Sequence, residues 1–203
     1  GTKSLFRYDV STDELHLDFQ DSVSDIYDYV IEPGSNRVVG VKTMPGKIKT
    51  HYFDKKDKFS KLHRSLSKAF AGQDLTITSE TEDGKFLILL AQSDKNPGDF
   101  FLFDTDKMNA DYLMSRKQWI DPESMGTRQP VSFENSDGIT LHGYITWPLD
   151  TSKPVPLVTL VHGGPYGVKD SWYFDSEAQM LANHGYAVLQ INYRGSRGYG
   201  LEY

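Results

Sequence analysis

Apolar residues in this chain come in short runs separated by polar turns, the pattern of β-strands joined by tight connections. One pattern returns three times in the first 120 residues: Ser4-Leu5-Phe6-Arg7-Tyr8-Asp9, Lys49-Thr50-His51-Tyr52-Phe53-Asp54 and Asp99-Phe100-Phe101-Leu102-Phe103-Asp104, at spacings of 45 and 50 residues. Each copy is a short aromatic strand ending in aromatic-Asp, followed by a polar turn and a second strand, such as Asp13 to Phe19 or Ala110 to Trp119. The two later copies are preceded by a turn and an apolar strand: Pro33-Gly34-Ser35-Asn36 before Arg37 to Lys42, and Glu82-Asp83-Gly84-Lys85 before Phe86 to Gln92. Four short antiparallel strands per 40–50 residues is the pattern of β-propeller blades. It predicts part of a blade over 1–19 and complete blades over 24–66 and 74–119. An ordinary antiparallel sandwich with chance spacing is the competing expectation.

The pattern changes after residue 126. Gln129 to Phe133 and Ile139 to Ile145 flank Asn135-Ser136-Asp137-Gly138, a hairpin signal. The wholly apolar run Leu157-Val158-Thr159-Leu160-Val161 predicts a strand buried on both faces. From Ser171 to His184, Phe174, Ala178, Leu181 and Ala182 recur at helical spacing, with Asp170 or Ser171 as the cap and Gly185 as the stop. Tyr186 to Tyr193 is a second buried strand. Strand, loop, helix, strand is a parallel crossover unit, which places the Gly-rich loops 162–167 and 194–200 together at the carboxyl ends of its strands. The expected order is therefore partial β-propeller blades over 1–126, followed by an α/β sheet domain over 127–203.

The first of those loops, His162-Gly163-Gly164-Pro165, carries the candidate chemistry. A Gly-Gly turn at the end of a strand presents backbone N–H groups that can stabilise an oxyanion in acyl transfer. Gly164 is the donor candidate, Gly163 permits close approach, and His162 and Pro165 shape the loop. His162 reads as an orienting residue rather than a general base. No G-x-S-x-G occurs in the 203 residues. The nearest imitation, Arg194-Gly195-Ser196-Arg197-Gly198, has Arg where the first Gly belongs, so Ser196 reads as a turn serine and Arg194 and Arg197 as loop cations.

Composition narrows the remaining possibilities. The hydrophobic fraction is 38%, but 13% aromatic residues support sheet formation rather than disorder. A net charge of −6 disfavours nucleic acid and anionic membranes, and no apolar stretch has membrane-spanning length. With no cysteine, disulfides and thiolate metal sites are excluded, and a cytosolic or a periplasmic location fits equally. His16, His51, His63, His142 and His184 show no ligand spacing, so neither metal nor other cofactor is expected.

Taken in order, the blades, His-Gly-Gly-Pro, Asn183-His184-Gly185-Tyr186-Ala187-Val188 and Asn192-Tyr193-Arg194-Gly195-Ser196-Arg197-Gly198-Tyr199-Gly200 resemble the prolyl oligopeptidase family of serine peptidases, most nearly its acylaminoacyl-peptidase and dipeptidyl-peptidase branch. The resemblance implies a propeller covering an α/β-hydrolase domain, peptide substrates held between them, and a Ser-His-Asp triad placed later in the chain. The sequence ends 38 residues beyond Pro165, so the chain is expected to be a fragment, inactive alone and prone to oligomerise through uncovered edges. Two other functions remain open: a non-catalytic propeller interaction protein, and an esterase-type hydrolase using the same loop.

Overall fold

The computed structural model describes residues 1–164 and 166–203; Pro165 lies outside the described residues. Four sheets follow one another along the chain. β1 (Leu5–Asp9) and β2 (Glu14–Phe19) form a hairpin, and β3 (Ile26–Glu32), β4 (Arg37–Thr43) and β5 (Lys49–Tyr52) form a three-stranded antiparallel sheet. Helix α1 (Lys58–Ala69) leads into β6 (Asp74–Glu80), β7 (Phe86–Gln92), β8 (Asp99–Asp104) and β9 (Asn109–Ser115), a four-stranded antiparallel meander. β10 (Thr127–Glu134), β11 (Thr140–Trp147), β12 (Leu157–Thr159), α2 (Ser176–Asn183) and β13 (Ala187–Asn192) complete the chain.

The repeated aromatic-Asp has a local cause. Asp9 Oδ1 accepts the backbone N–H groups of Ser11 and Thr12, and Asp104 Oδ1 accepts those of Asp106 and Lys107. Four residues after each aspartate the backbone turns left-handed, at Asp13 (φ 57°) and Met108 (φ 54°). Asp9 then pairs with Glu14 and Asp104 with Asn109, so the two copies build the same hairpin turn.

The middle copy departs from the repeat. Asp54 starts a turn in the same way, accepting from Lys56 N at 2.7 Å, but the following segment is α1 rather than a fourth strand of the 24–66 unit. Phe59, Leu62, His63, Leu66 and Phe70 fall on one helical face, and Asp57 caps the start by accepting from Ser60 N at 2.9 Å. That face fills the space between two sheets. Phe59 packs with Val30 and Val39, Leu66 packs with Leu75, Leu87, Leu89 and Phe103, and Leu62 touches both groups. His63 is buried there with Nδ1 2.7 Å from the Tyr52 hydroxyl, and burial pushes its pKa down to about 4.

A buried ion pair adds a polar tie between the same sheets. Lys42 on β4 donates from Nζ to Asp74 Oδ1 (2.8 Å), Leu75 O (2.8 Å) and Thr76 Oγ1 (3.2 Å), using all three of its protons. The second Asp74 oxygen accepts the Tyr173 hydroxyl at 2.7 Å, which extends the tie to the segment before α2.

The last sheet has the order β10-β11-β13-β12, antiparallel except for the parallel pair β12 and β13. Asn135 organises the β10–β11 turn, its Oδ1 accepting from Asp137 N and Ile139 N, with Gly138 at φ 76°. Arg128 crosses the sheet fully buried; it donates to Ser171 O, Thr146 Oγ1 and Gln190 Oε1 and lies 4.8 Å from the Tyr144 ring centroid. Tyr144 donates to Gly46 O at 2.8 Å and packs with Met44 and Trp172, so the sheet joins the β4–β5 connection through an apolar contact.

Two expectations for this region change. The apolar run 157–161 is not buried on both faces: β12 ends at Thr159 on the sheet's edge, with Leu157 56% and Val161 65% exposed. The helix starts at Ser176 with Asp175 as its cap, not at Ser171. Tertiary partners occupy both ends of the bond with which an earlier turn would begin: Phe174 N goes to Ser93 O, and Asp170 O accepts from Asn192 Nδ2. Segment 170–174 is thereby held out of the helix.

Candidate active-site loop

β12 and β13 run parallel, so the loops leaving their carboxyl ends meet. Residues of the Asn192–Gly198 stretch act on the neighbouring segments. Asn192 brackets Asp170 from both sides, accepting its N–H at 2.7 Å and donating to its carbonyl at 3.0 Å. Tyr193 lies over His162, ring centroids 4.5 Å apart and 19° from parallel, and its hydroxyl donates toward His162 O (2.9 Å) and Gly163 O (3.3 Å). Arg194 makes an exposed ion pair with Asp137 at 3.5 Å. Ser196 Oγ is 3.1 Å from His162 Nε2, and Gly198 O accepts the N–H of Asp25 at 2.9 Å.

His162 is engaged at both nitrogens. Nδ1 is 2.7 Å from Gly163 O, a group that only accepts, so the proton sits on Nδ1. Nε2 faces the Ser196 hydroxyl on the other side of the ring. The pair superficially matches a nucleophile and base, a proximity that sequence spacing did not suggest across 34 residues. Its surroundings do not fit that chemistry. Ser196 is only 3% exposed, and the group orienting the imidazole is a peptide carbonyl rather than a carboxylate. The arrangement holds a loop.

Gly163 and Gly164 are exposed, and Gly164 has φ +140°, which favours glycine. A Cβ there would meet Tyr166 N at 3.4 Å and the Tyr193 hydroxyl at 3.5 Å, so dihedral preference rather than space makes the position special. Among the described residues the Gly164 N–H has no recorded backbone or side-chain acceptor. Pro165, the last residue of the motif, lies outside the described residues.

Charged groups surround the loop. An open cleft of about 500 Å³ beside it is lined by His162, Gly163, Asp170, Asp175 and Glu177. Asp170 is buried: Oδ1 accepts from Gln190 at 2.8 Å, Oδ2 has no hydrogen-bond partner among the described residues, and burial raises its pKa above the usual carboxylate range. Lys169 lies between the rings of Tyr27 and Tyr199, and burial, helped by the Arg197 charge, pushes its pKa down to about 8. Among the described residues no three His, Asp or Glu side chains are placed to hold a metal ion, and no helix is long and apolar enough to cross a membrane.

The chain as a whole is similar to known proteins. Residues 172–203 match the prolyl oligopeptidase family. Over its whole length the chain is 28% identical to a dipeptidyl aminopeptidase, BIII, of Pseudoxanthomonas mexicana, covering 30% of that protein. Over 87 residues, 40% of the chain and 12% of the relative, it is 40% identical to a probable dipeptidyl-peptidase 5 of Aspergillus niger. A puromycin-hydrolyzing peptidase of Mycobacterium tuberculosis has the same fold over all of the chain and 32% of its own, with TM-score 0.65 at 16% identity. Along its length the chain is thus similar to peptidases, and residues 172–203 carry the match to the prolyl oligopeptidase family. It spans less than a third of the length of these proteins.

Proposed function

We propose that this chain supplies the oxyanion-binding part of a serine peptidase that hydrolyses short peptides by acyl transfer. Residues 1–126 are then propeller blades, 127–203 begin the α/β-hydrolase domain, and nucleophile, base and acid lie in sequence outside these 203 residues. One observation carries the reading. Among the described residues the Gly164 N–H has no acceptor, and it lies on an exposed Gly-Gly turn at the carboxyl end of a strand parallel to its neighbour. The kinship with dipeptidyl peptidases supports peptides over esters as substrates.

In the resulting reaction a serine oxygen attacks the substrate carbonyl, the carbonyl oxygen becomes an oxyanion, and the Gly164 N–H donates to it. His162 stays structural, with both nitrogens engaged by the loop. Intact protein should hydrolyse acyl-peptide or dipeptidyl p-nitroanilides. Gly164→Ala should lower kcat on the order of a hundredfold, because an alanine strained at this φ turns the donor away from the oxyanion. Intact protein that neither cleaves such substrates nor reacts with a fluorophosphonate would overturn the reading. The 203-residue chain alone should remain unlabelled, since its Ser196 is buried against His162.

A further inference from the structure

We infer that Tyr193 is the positioning residue of the oxyanion loop, aiming the Gly164 N–H by holding the opposite face of the same peptide plane; the inference rests on the peptidase reading above. A trans peptide points its C=O and its N–H in opposite directions. The Gly163 carbonyl is drawn to one side by two donors, His162 Nδ1 at 2.7 Å and the Tyr193 hydroxyl at 3.3 Å. The Gly164 N–H, on the other end of that plane, is therefore turned away from both rings and toward open space.

Tyr193 makes this hold cooperative. Its hydroxyl has one proton and two acceptors in reach, with His162 O the closer at 2.9 Å, so it ties the two consecutive carbonyls before Gly164 to the end of β13. Its ring stacks on the His162 imidazole and fixes that ring in the plane from which Nδ1 reaches Gly163 O. Ser196 closes the arrangement from behind: its N–H donates to Tyr193 O at 3.0 Å and its hydroxyl meets His162 Nε2. Gly163 and Gly164 have no side chains to hold them, and φ is permissive at both positions. Without the tyrosine the donor's direction would be set by the imidazole alone.

The test separates the hydroxyl from the ring in the intact protein. Tyr193→Phe keeps the stacking and removes the donor. Loss of one neutral hydrogen bond is expected to lower kcat about five- to tenfold with KM within about twofold. A peptidyl boronate, which mimics the tetrahedral adduct, should bind more weakly by the same factor, while a product peptide binds unchanged. Tyr193→Leu, which also loses the stack, should fall further. Tyr52→Phe, which deletes a tyrosyl hydrogen bond beside α1, should leave kcat unchanged. Hydrogen exchange of the Leu160 N–H, bonded to Leu189 O where β12 meets the loop, gives a readout independent of turnover, and the phenylalanine variant should exchange it faster. Unchanged exchange or wild-type kcat in Tyr193→Phe would overturn the inference, as would a loss shared equally with the product-binding measurement. If exchange rises but the intact protein neither cleaves peptides nor reacts with a fluorophosphonate, the peptidase reading itself fails and the catalytic role of Tyr193 falls with it.

Discussion

The two parts of this chain are built on different ranges of contact. Before residue 120 nearly every strand pairs with its sequence neighbour: β1 with β2, β3 with β4, β4 with β5, and β6 through β9 in order. After residue 126 the order becomes β10-β11-β13-β12, and β13 inserts between strands that precede it. The candidate chemistry lies only in this second part, where residues 31 to 34 positions apart are brought within hydrogen-bond reach. Short-range pairing makes a regular scaffold. The parallel crossover makes a place where distant loops meet.

That contrast has weak points. The first part is not held by its hairpins alone, because β4 and β6 are tied by Lys42 and Asp74, whose side chains are 2% and 4% exposed. Removing one member of a buried pair strands the other charge, so Lys42→Ala should destabilise the protein by about 3–5 kcal/mol in urea denaturation. Hydrogen exchange should show β4, β6 and the segment around Tyr173 opening together. If only β4 opened, the sheets would be independent.

The next largest effect is expected at the helix that bridges them. The folded pKa of His63 is about 4, below its ordinary value near 6.5, because burial disfavours the charged ring. The folded state therefore binds fewer protons than the unfolded chain between those values. Stability from keeping this ring neutral is present above about pH 6.5 and is lost as pH falls toward 4, by about 3 kcal/mol in all. Denaturant midpoints measured at pH 7 and pH 4.5 should differ less in His63→Gln than in the parent. An equal pH response would place the acid sensitivity elsewhere.

The smallest effect tests a local device inside the long-range part. Asp175 caps α2 through its bonds to Glu177 N and Ala178 N, so Asp175→Ala should cost about 1 kcal/mol in thermal unfolding. A much larger loss would mean that the Asp175 contact with Gln190 matters more than the cap.

Much of the fold can be read from residue types. The Asp9 and Asp104 turns, the Asn135 hairpin and the Gly185 stop all follow from side chains or glycines acting on their own backbone. α1 was legible too, since Phe59, Leu62, Leu66 and Phe70 keep helical spacing, but the repeat of strands around it argues for a strand. The start of α2 was not legible, because Ser93 and Asn192, far away in sequence, claim Phe174 N and Asp170 O, the two ends of the bond an earlier turn would begin with. Nor was the exposure of β12, since an apolar run states what a strand prefers and not what covers it.

Within the candidate site the same boundary separates residue identity from geometry. The Gly-Gly turn after an apolar strand is a property of adjacent residues, and the sequence by itself determines that an N–H donor can be presented there. The direction of that donor was decided only in three dimensions. Tyr193 and Ser196 reach His162 and Gly163 because β12 and β13 lie side by side, and that adjacency depends on the crossover through α2. Local chemistry is written in neighbouring residues, whereas the orientation of a peptide plane depends on whatever the fold brings against it.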